Sequence, residues 1–200
     1  MSRKDIPDRR RKEIMESCYQ VIARKGLEGA TLKRIGREMG VAPSLLIHYF
    51  KNKEELMVAL VEYMVEKMET TLLPGLEKLK NAKERLSYYI DKTLNFDVAQ
   101  TVDDKVFYGC FYLALKDERI RKSFQRMYNR DSDIVIRLIN DYVEEEGITG
   151  IDPEQIAVQI TSYIEGFYIY RVVFGDTPKF QRAVRGLKQL LWYVLEGKVR

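Results

Sequence analysis

The stretch Thr31-Leu-Lys-Arg-Ile-Gly-Arg-Glu-Met-Gly-Val-Ala-Pro-Ser-Leu-Leu-Ile-His-Tyr-Phe50 narrows the folds open to this chain more than any other. Thr31 suits a helix N-cap, Leu32, Ile35 and Met39 recur at helical spacing, and Gly40 ends the run. Pro43 fits the first turn of a second short helix, where its missing N–H costs nothing, and Leu46 and Phe50 point to the same core. A preceding helix over 8–25 carries Ile14, Cys18, Val21 and Ile22 on one stripe and stops at Gly26.

The same periodicity continues to the end. Asn52-Lys-Glu-Glu55 is a capping box opening a long fourth helix, predicted over 53–73 and broken or bent at Pro74-Gly75. Further helices are predicted over 83–97, 104–116, 119–146, 153–174 (with Asp152 as cap and Pro153 as first residue) and 179–196. No alternating strand pattern stands out, and only five prolines interrupt the chain. The fold class is therefore all-α with about nine helices. Residues 1–52 form an N-terminal three-helix helix-turn-helix domain and 53–200 a C-terminal helical ligand-binding and dimerisation domain, joined by the fourth helix.

Charge is unevenly spread. Residues 1–53 hold 13 Lys/Arg against 6 Asp/Glu, a net of +7, and the remainder 21 against 24, a net of −3. A basic head on a mildly acidic body suits a polyanion at the head. Cys18 and Cys110 make neither a metal box nor a disulfide framework and read as buried, reduced thiols. One histidine removes most triads and His-based metal sites, and no phosphate loop, HExxH or CxxC is present. These absences argue against an enzyme, a metal or a cofactor. No apolar run is long enough for a membrane span, and Met1-Ser-Arg-Lys leads into charge rather than an apolar leader, so the expected location is cytoplasmic, with the nucleoid.

On the third helix, Leu46 and Phe50 are committed to packing, which leaves Ser44, Leu45 and His48 on the other side and Tyr49 at its edge. Such a helix can enter a DNA major groove with its N-terminal end leading, Ser44 and His48 offering hydrogen bonds and Leu45 meeting a thymine methyl. Thr31, Lys33 and Lys53 fall where phosphates would pass, and Arg9-Arg10-Arg11-Lys12 can reach flanking backbone. Singly, each residue also fits a cap or a solvated surface; their joint spacing carries the DNA reading.

Thr31-Leu32, Ile35, Gly40-Val41, His48-Tyr49-Phe50 and Lys53-Glu54-Glu55-Leu56 together resemble the N-terminal signature of TetR-type transcriptional regulators. The resemblance implies a homodimer that binds a palindromic double-stranded DNA operator, usually represses, and is released by a small-molecule effector. It matches Thr31, Lys33, Pro43, Ser44, Leu45, His48, Tyr49 and Lys53 to the family's DNA-facing positions. Ala42, Ser44 and Ile47 depart from the usual pattern, Ala42 removing a capping hydroxyl worth ~1 kcal/mol. The segment Ala114-Leu-Lys-Asp-Glu-Arg-Ile-Arg121 is similar to the betaine-regulator branch. The alternative is a DNA-binding architectural protein that answers to no ligand.

In the body, Phe107, Phe111, Tyr128, Tyr163, Glu165 and Phe167 are the candidate effector contacts. Glu165 interrupts an apolar run, and is expected to pair with Arg171, to meet an arginine of another subunit, or to face a ligand. Ile156, Ile160, Leu187, Leu191 and Val194 on the last two helices are the candidate dimer contacts.

Overall fold

The computed structural model describes residues 5–197, with side chains from Arg9 onward; the charged opening at residues 1–4 lies outside the described residues. The chain is all-α. The helices are α1 (Asp5–Lys25), α2 (Leu32–Met39), α3 (Pro43–Tyr49), α4 (Lys53–Leu76), α5 (Ala82–Leu94), α6 (Asp104–Ala114), α7 (Glu118–Glu145), α8 (Pro153–Phe174) and α9 (Pro178–Leu195), with short 3-10 turns at Leu27–Gly29 and Ala99–Thr101.

Two compact units emerge, neither continuous in sequence. The first takes the chain up to Lys67 together with Val102–Met127, and the second takes Met68–Thr101 together with the chain from Tyr128 on. Both α4 and α7 thus supply residues to each unit.

In the first unit, α1 packs on α2 and α6, and α2 on α3. Ile14, Cys18, Ile22, Ile35, Leu46, Phe50, Leu60 and Val106 are closed off from solvent. Cys18 and Cys110 are free, buried thiols, and burial pushes the Cys110 thiol up to about 12 and that of Cys18 further, so neither is a ready nucleophile. The Tyr19 hydroxyl accepts from the Asp103 N–H at 2.6 Å, tying α1 to the start of α6.

The second unit closes around Tyr89 and Ile90 of α5, Val135, Ile139 and Tyr142 of α7, Ala157 and Ile160 of α8, and Phe180, Val184 and Leu195 of α9. Two boundaries differ from expectation for reasons that sit in this packing. Pro74-Gly75 does not break α4, which runs to Leu76, and Glu77 N–H still donates to the Leu73 carbonyl at 3.0 Å. Gly75 instead makes room for Tyr88, whose hydroxyl would lie 2.0 Å from any Cβ there. Helix α5 ends at Leu94 rather than at 97, because Phe96 turns into the left-handed region (φ 63) and buries its ring against Phe180 and Tyr168, at 5.6 and 5.9 Å between centroids. Burying an aromatic ring is worth more than the ~1–2 kcal/mol that such a backbone costs.

Candidate nucleic-acid interface and effector region

The geometry of the head starts from a close approach of backbone. Val41 N–H donates to the Gly36 carbonyl at 2.8 Å, and a Cβ at Gly36 would stand 2.8 Å from the Val41 carbonyl oxygen and 3.5 Å from Pro43 N. Only glycine lets the turn between α2 and α3 fold back this tightly. The sequence reading assigned Gly36 no role; the signal was its place inside a short helix, where glycine is unfavourable without a packing reason.

Thr31 caps α2, its Oγ1 accepting from Arg34 N–H at 3.2 Å, and this leaves the hydroxyl proton free for a phosphate oxygen. Ala42 caps α3 without a side-chain bond, and Pro43 occupies the first turn. Leu46 and Phe50 are wholly buried, so the opposite side of α3 must face out: Pro43, Ser44 and His48 are exposed, Leu45 and Tyr49 half-buried. His48 and Tyr49 meet edge to face at 5.4 Å. Thr31, Lys33 and Lys53 are exposed. Asn52 Oδ1 accepts from Glu55 N–H at 2.8 Å, while Glu55 Oε2 reaches back to Lys51 N–H at 3.0 Å, so the box at the start of α4 closes on Lys51.

The basic run of α1 is less free than expected. Arg11 donates to the Tyr49 carbonyl at 3.0 Å, lies 4.2 Å above the Phe50 ring and faces Glu55 at 3.7 Å, so it ties α3 and α4 to α1. Arg9 and Arg10 face Glu13, and Lys12 reaches Glu66 at 2.8 Å.

The six candidate effector contacts are divided between the two units. In the first unit, Phe107 is buried and Phe111 exposed, and both rings meet Phe124 edge to face at 5.7 and 5.5 Å. In the second unit, Tyr163 is exposed and Phe167 packs on Phe180 at 5.8 Å. Tyr128 and Glu165 do meet, through a side-chain hydrogen bond.

Glu165 does not pair with Arg171, which corrects that expectation. The Arg171 guanidinium lies 5.1 Å from the ring centres of both Phe96 and Tyr168, and its Nε is buried without a hydrogen-bond partner. Glu165 instead feels Asp131, which the sequence reading passed over inside the polar face of α7. The Tyr89 hydroxyl donates to Asp131, 3.0 Å from each carboxylate oxygen. Burial pushes the Asp131 carboxyl up to about 6, against the pull of the Tyr89 bond, and burial and the Asp131 charge raise Glu165 while the Tyr128 bond lowers it. No salt bridge reaches either carboxylate among the described residues. Two half-buried acids near one another each raise the cost of ionising the other.

Of the candidate dimer contacts, Ile156, Ile160, Leu187 and Leu191 lie in the chain's own core, none more than 7% exposed, and Val194 is half-buried. They have little surface to give a second subunit. The large hydrophobic side chains that α8 and α9 do expose include Val158, Ile169, Val172, Val173, Phe174 and Leu190, with Tyr163, Tyr170 and Tyr193 beside them.

Both parts of the chain are similar to known proteins. Residues 14–60 match the bacterial regulatory proteins of the tetR family, and residues 82–195 match the C-terminal part of the BetI-type transcriptional repressors. The HTH-type transcriptional regulator BetI of Brucella canis is 24% identical over 192 residues, covering 94% of this chain and 93% of that protein. Among solved structures, a transcriptional regulator from Pseudomonas aeruginosa PAO1 superposes with a TM-score of 0.80 at 18% identity, covering 96% of this chain and 92% of the other. A transcriptional regulator from Saccharomonospora viridis, solved in complex with choline, gives 0.75 at 17% identity over 93% and 97% of the two chains.

Proposed function

Because this chain belongs to the tetR family of bacterial transcriptional regulators, with a BetI-type repressor C-terminal part, we propose that it acts in the cytoplasm as a homodimeric repressor that grips a palindromic operator and lets go when a small organic cation binds its body. The outward strip of α3 carries the DNA half of this reading: Ser44 and His48 stand exposed on the side opposite buried Leu46 and Phe50, flanked by exposed Thr31, Lys33 and Lys53. Ser44 and His48 read base edges, Leu45 touches a thymine methyl, and Thr31, Lys33, Pro43, Tyr49 and Lys53 fix the register on the backbone.

The body, residues 53–200, holds the effector and dimer functions. Asp131 and Glu165 favour a positively charged ligand, since a cation removes the cost of holding two carboxylates close in a half-dry site. Tyr128 orients Glu165 and Tyr89 orients Asp131, and these two phenol rings suit an alkylammonium. The choline bound to the Saccharomonospora viridis structure is of this class. The exposed apolar surface of α8 and α9, centred on Val172, Val173 and Phe174, suits the second copy of the chain. Two heads must stand about 34–36 Å apart to engage successive major grooves. An effector that shifts this spacing by favouring one setting of α4 needs a coupling of only ~1–3 kcal/mol to change occupancy ~5–150-fold.

The test is selection of bound duplexes from a random pool, followed by addition of choline chloride to the complex. Recovery of a palindrome released by choline supports the reading. Failure to retain any duplex overturns it, and retention unaffected by any metabolite favours an architectural DNA-binding protein.

A further inference from the structure

Beside the head, in the first unit, a cleft of about 440 Å³ is lined by Lys51, Asn52, Glu55 and Val58 on one side and by Arg119, Lys122 and Arg126 on the other. One wall is the loop into α4 with that helix's start, and the other is the first three turns of α7. Arg119 feels the charge of Glu54, and Arg126 reaches Glu62 at 2.9 Å. Residue numbers therefore rise together on both helices, which run side by side in the same direction with their positive N-terminal ends at the same end of the cleft. That end is also where α3 hands over to α4, since Lys51 follows Tyr49 by only two residues.

The acids around the cleft are tied off or weakly held. Glu55 accepts from Lys51 N–H and faces Arg11. Arg119 is bound to Asp117, Lys122 stands 3.9 Å from Glu118, and Arg126 pairs with Glu62, with the three basic side chains 57%, 62% and 54% exposed. Arg119 holds Asp117 through Nε and Nη2, which leaves its Nη1 for a further oxygen, while the looser exposed pairs of Lys122 and Arg126 exchange partners readily when a stronger anion arrives. The Lys51 ammonium has no ion-pair partner among the described residues.

We infer that this cleft takes a phosphate of the DNA backbone just outside the bases read by α3, so that α7, from the acidic body of the sequence, is part of the DNA-binding surface. The inference rests on the DNA-binding reading above. A polyanion laid along α3 passes the Lys51 end of the cleft, and Arg119 and Lys122 stand there with forked and point-charge donors for its oxygens. The cleft opens to solvent, as a backbone contact requires.

The experiment compares the wild-type protein with R119Q/K122Q on a selected duplex, once trimmed to its half-sites and once carrying about ten further base pairs, one helical turn, on each side. Binding is followed by fluorescence anisotropy between about 50 and 200 mM salt, where each phosphate contact adds about 0.9 to the slope of log affinity against log salt. On the long duplex the double variant is expected to lose about 2 to 4 from the slope for a dimer with two clefts, and at least tenfold in affinity at low salt. On the trimmed duplex the two proteins are expected to bind alike. Equal slopes on the long duplex overturn the inference, as does calorimetric binding of inorganic pyrophosphate to the wild type alone with unchanged DNA slopes, which makes the cleft a small-anion site. Wild type that binds neither duplex overturns the DNA-binding reading itself. Should R119Q/K122Q lose its helical circular dichroism, Lys51→Gln on the exposed rim carries the same slope comparison.

Discussion

The Tyr89 hydroxyl on α5 sits 3.0 Å from both carboxylate oxygens of Asp131 on α7, and this hydrogen bond holds an acid in place that burial would rather see protonated. The Asp131 carboxyl is raised to about 6, so the folded protein takes up a proton that the unfolded chain releases at lower pH. A raised acid stabilises the fold fully below the unfolded value, and that stability is lost as pH rises through about 6. Asp131→Asn keeps an acceptor for Tyr89 and removes the charge. It is expected to raise stability at pH 7.5 by ~1–2 kcal/mol, a gain roughly halved at pH 5. Urea melts at the two pH values check this, and a loss of stability at pH 7.5 would contradict it.

On the proposed reading of a cationic effector, the same carboxylate is expected to give its binding a pH dependence of opposite sense. A cation binds the ionised acid, so its affinity is expected to hold above about pH 6 and to fall below it, by up to ~10-fold per unit. Glu165→Gln weakens the cation at every pH. Titration calorimetry with choline between pH 5 and 8 reads both effects.

Ser44→Ala and His48→Ala leave the core untouched, because both side chains are exposed. Each is expected to cost operator affinity ~10-fold (about 1–2 kcal/mol) while changing stability by less than ~0.5 kcal/mol. Loss of affinity together with a lower melting temperature would assign these residues to the fold instead.

Gly36→Ala places a methyl against the Val41 carbonyl, which is backbone and cannot swing aside. A destabilisation of ~1–3 kcal/mol is expected, with weakened DNA binding because the turn into α3 shifts. Thermal melts and anisotropy on the same sample measure the pair.

Val173 is 65% exposed on α8, and Ile160, on the same helix, is 1% exposed. If the proposed dimer forms through α8, Val173→Glu is expected to shift it to monomer by light scattering, with its helix content intact. Ile160→Val instead costs ~0.5–1.5 kcal/mol of stability and leaves the dimer in place.

Local chemistry made much of this protein legible. Helix ends were readable at Thr31, Asn52 and Asp152 because a capping side chain acts within three residues of itself. The outward strip of α3 followed from Leu46 and Phe50 alone, since on one short helix the buried face determines the free one. Tertiary structure decided whatever depends on which helix lies opposite. Ile156 and Leu187 look the same whether they face their own core or a second subunit, and only packing separates the two. Arg11 reads as a free surface cation, but in the fold the Phe50 ring and the Tyr49 carbonyl lie against it, and Glu165 looks to its sequence neighbour Arg171, but its partners are Tyr128 and Asp131 from another helix. Periodicity tells one face of a helix from the other, but a partner many residues away leaves no mark on the local pattern, because chain folding alone brings the two together.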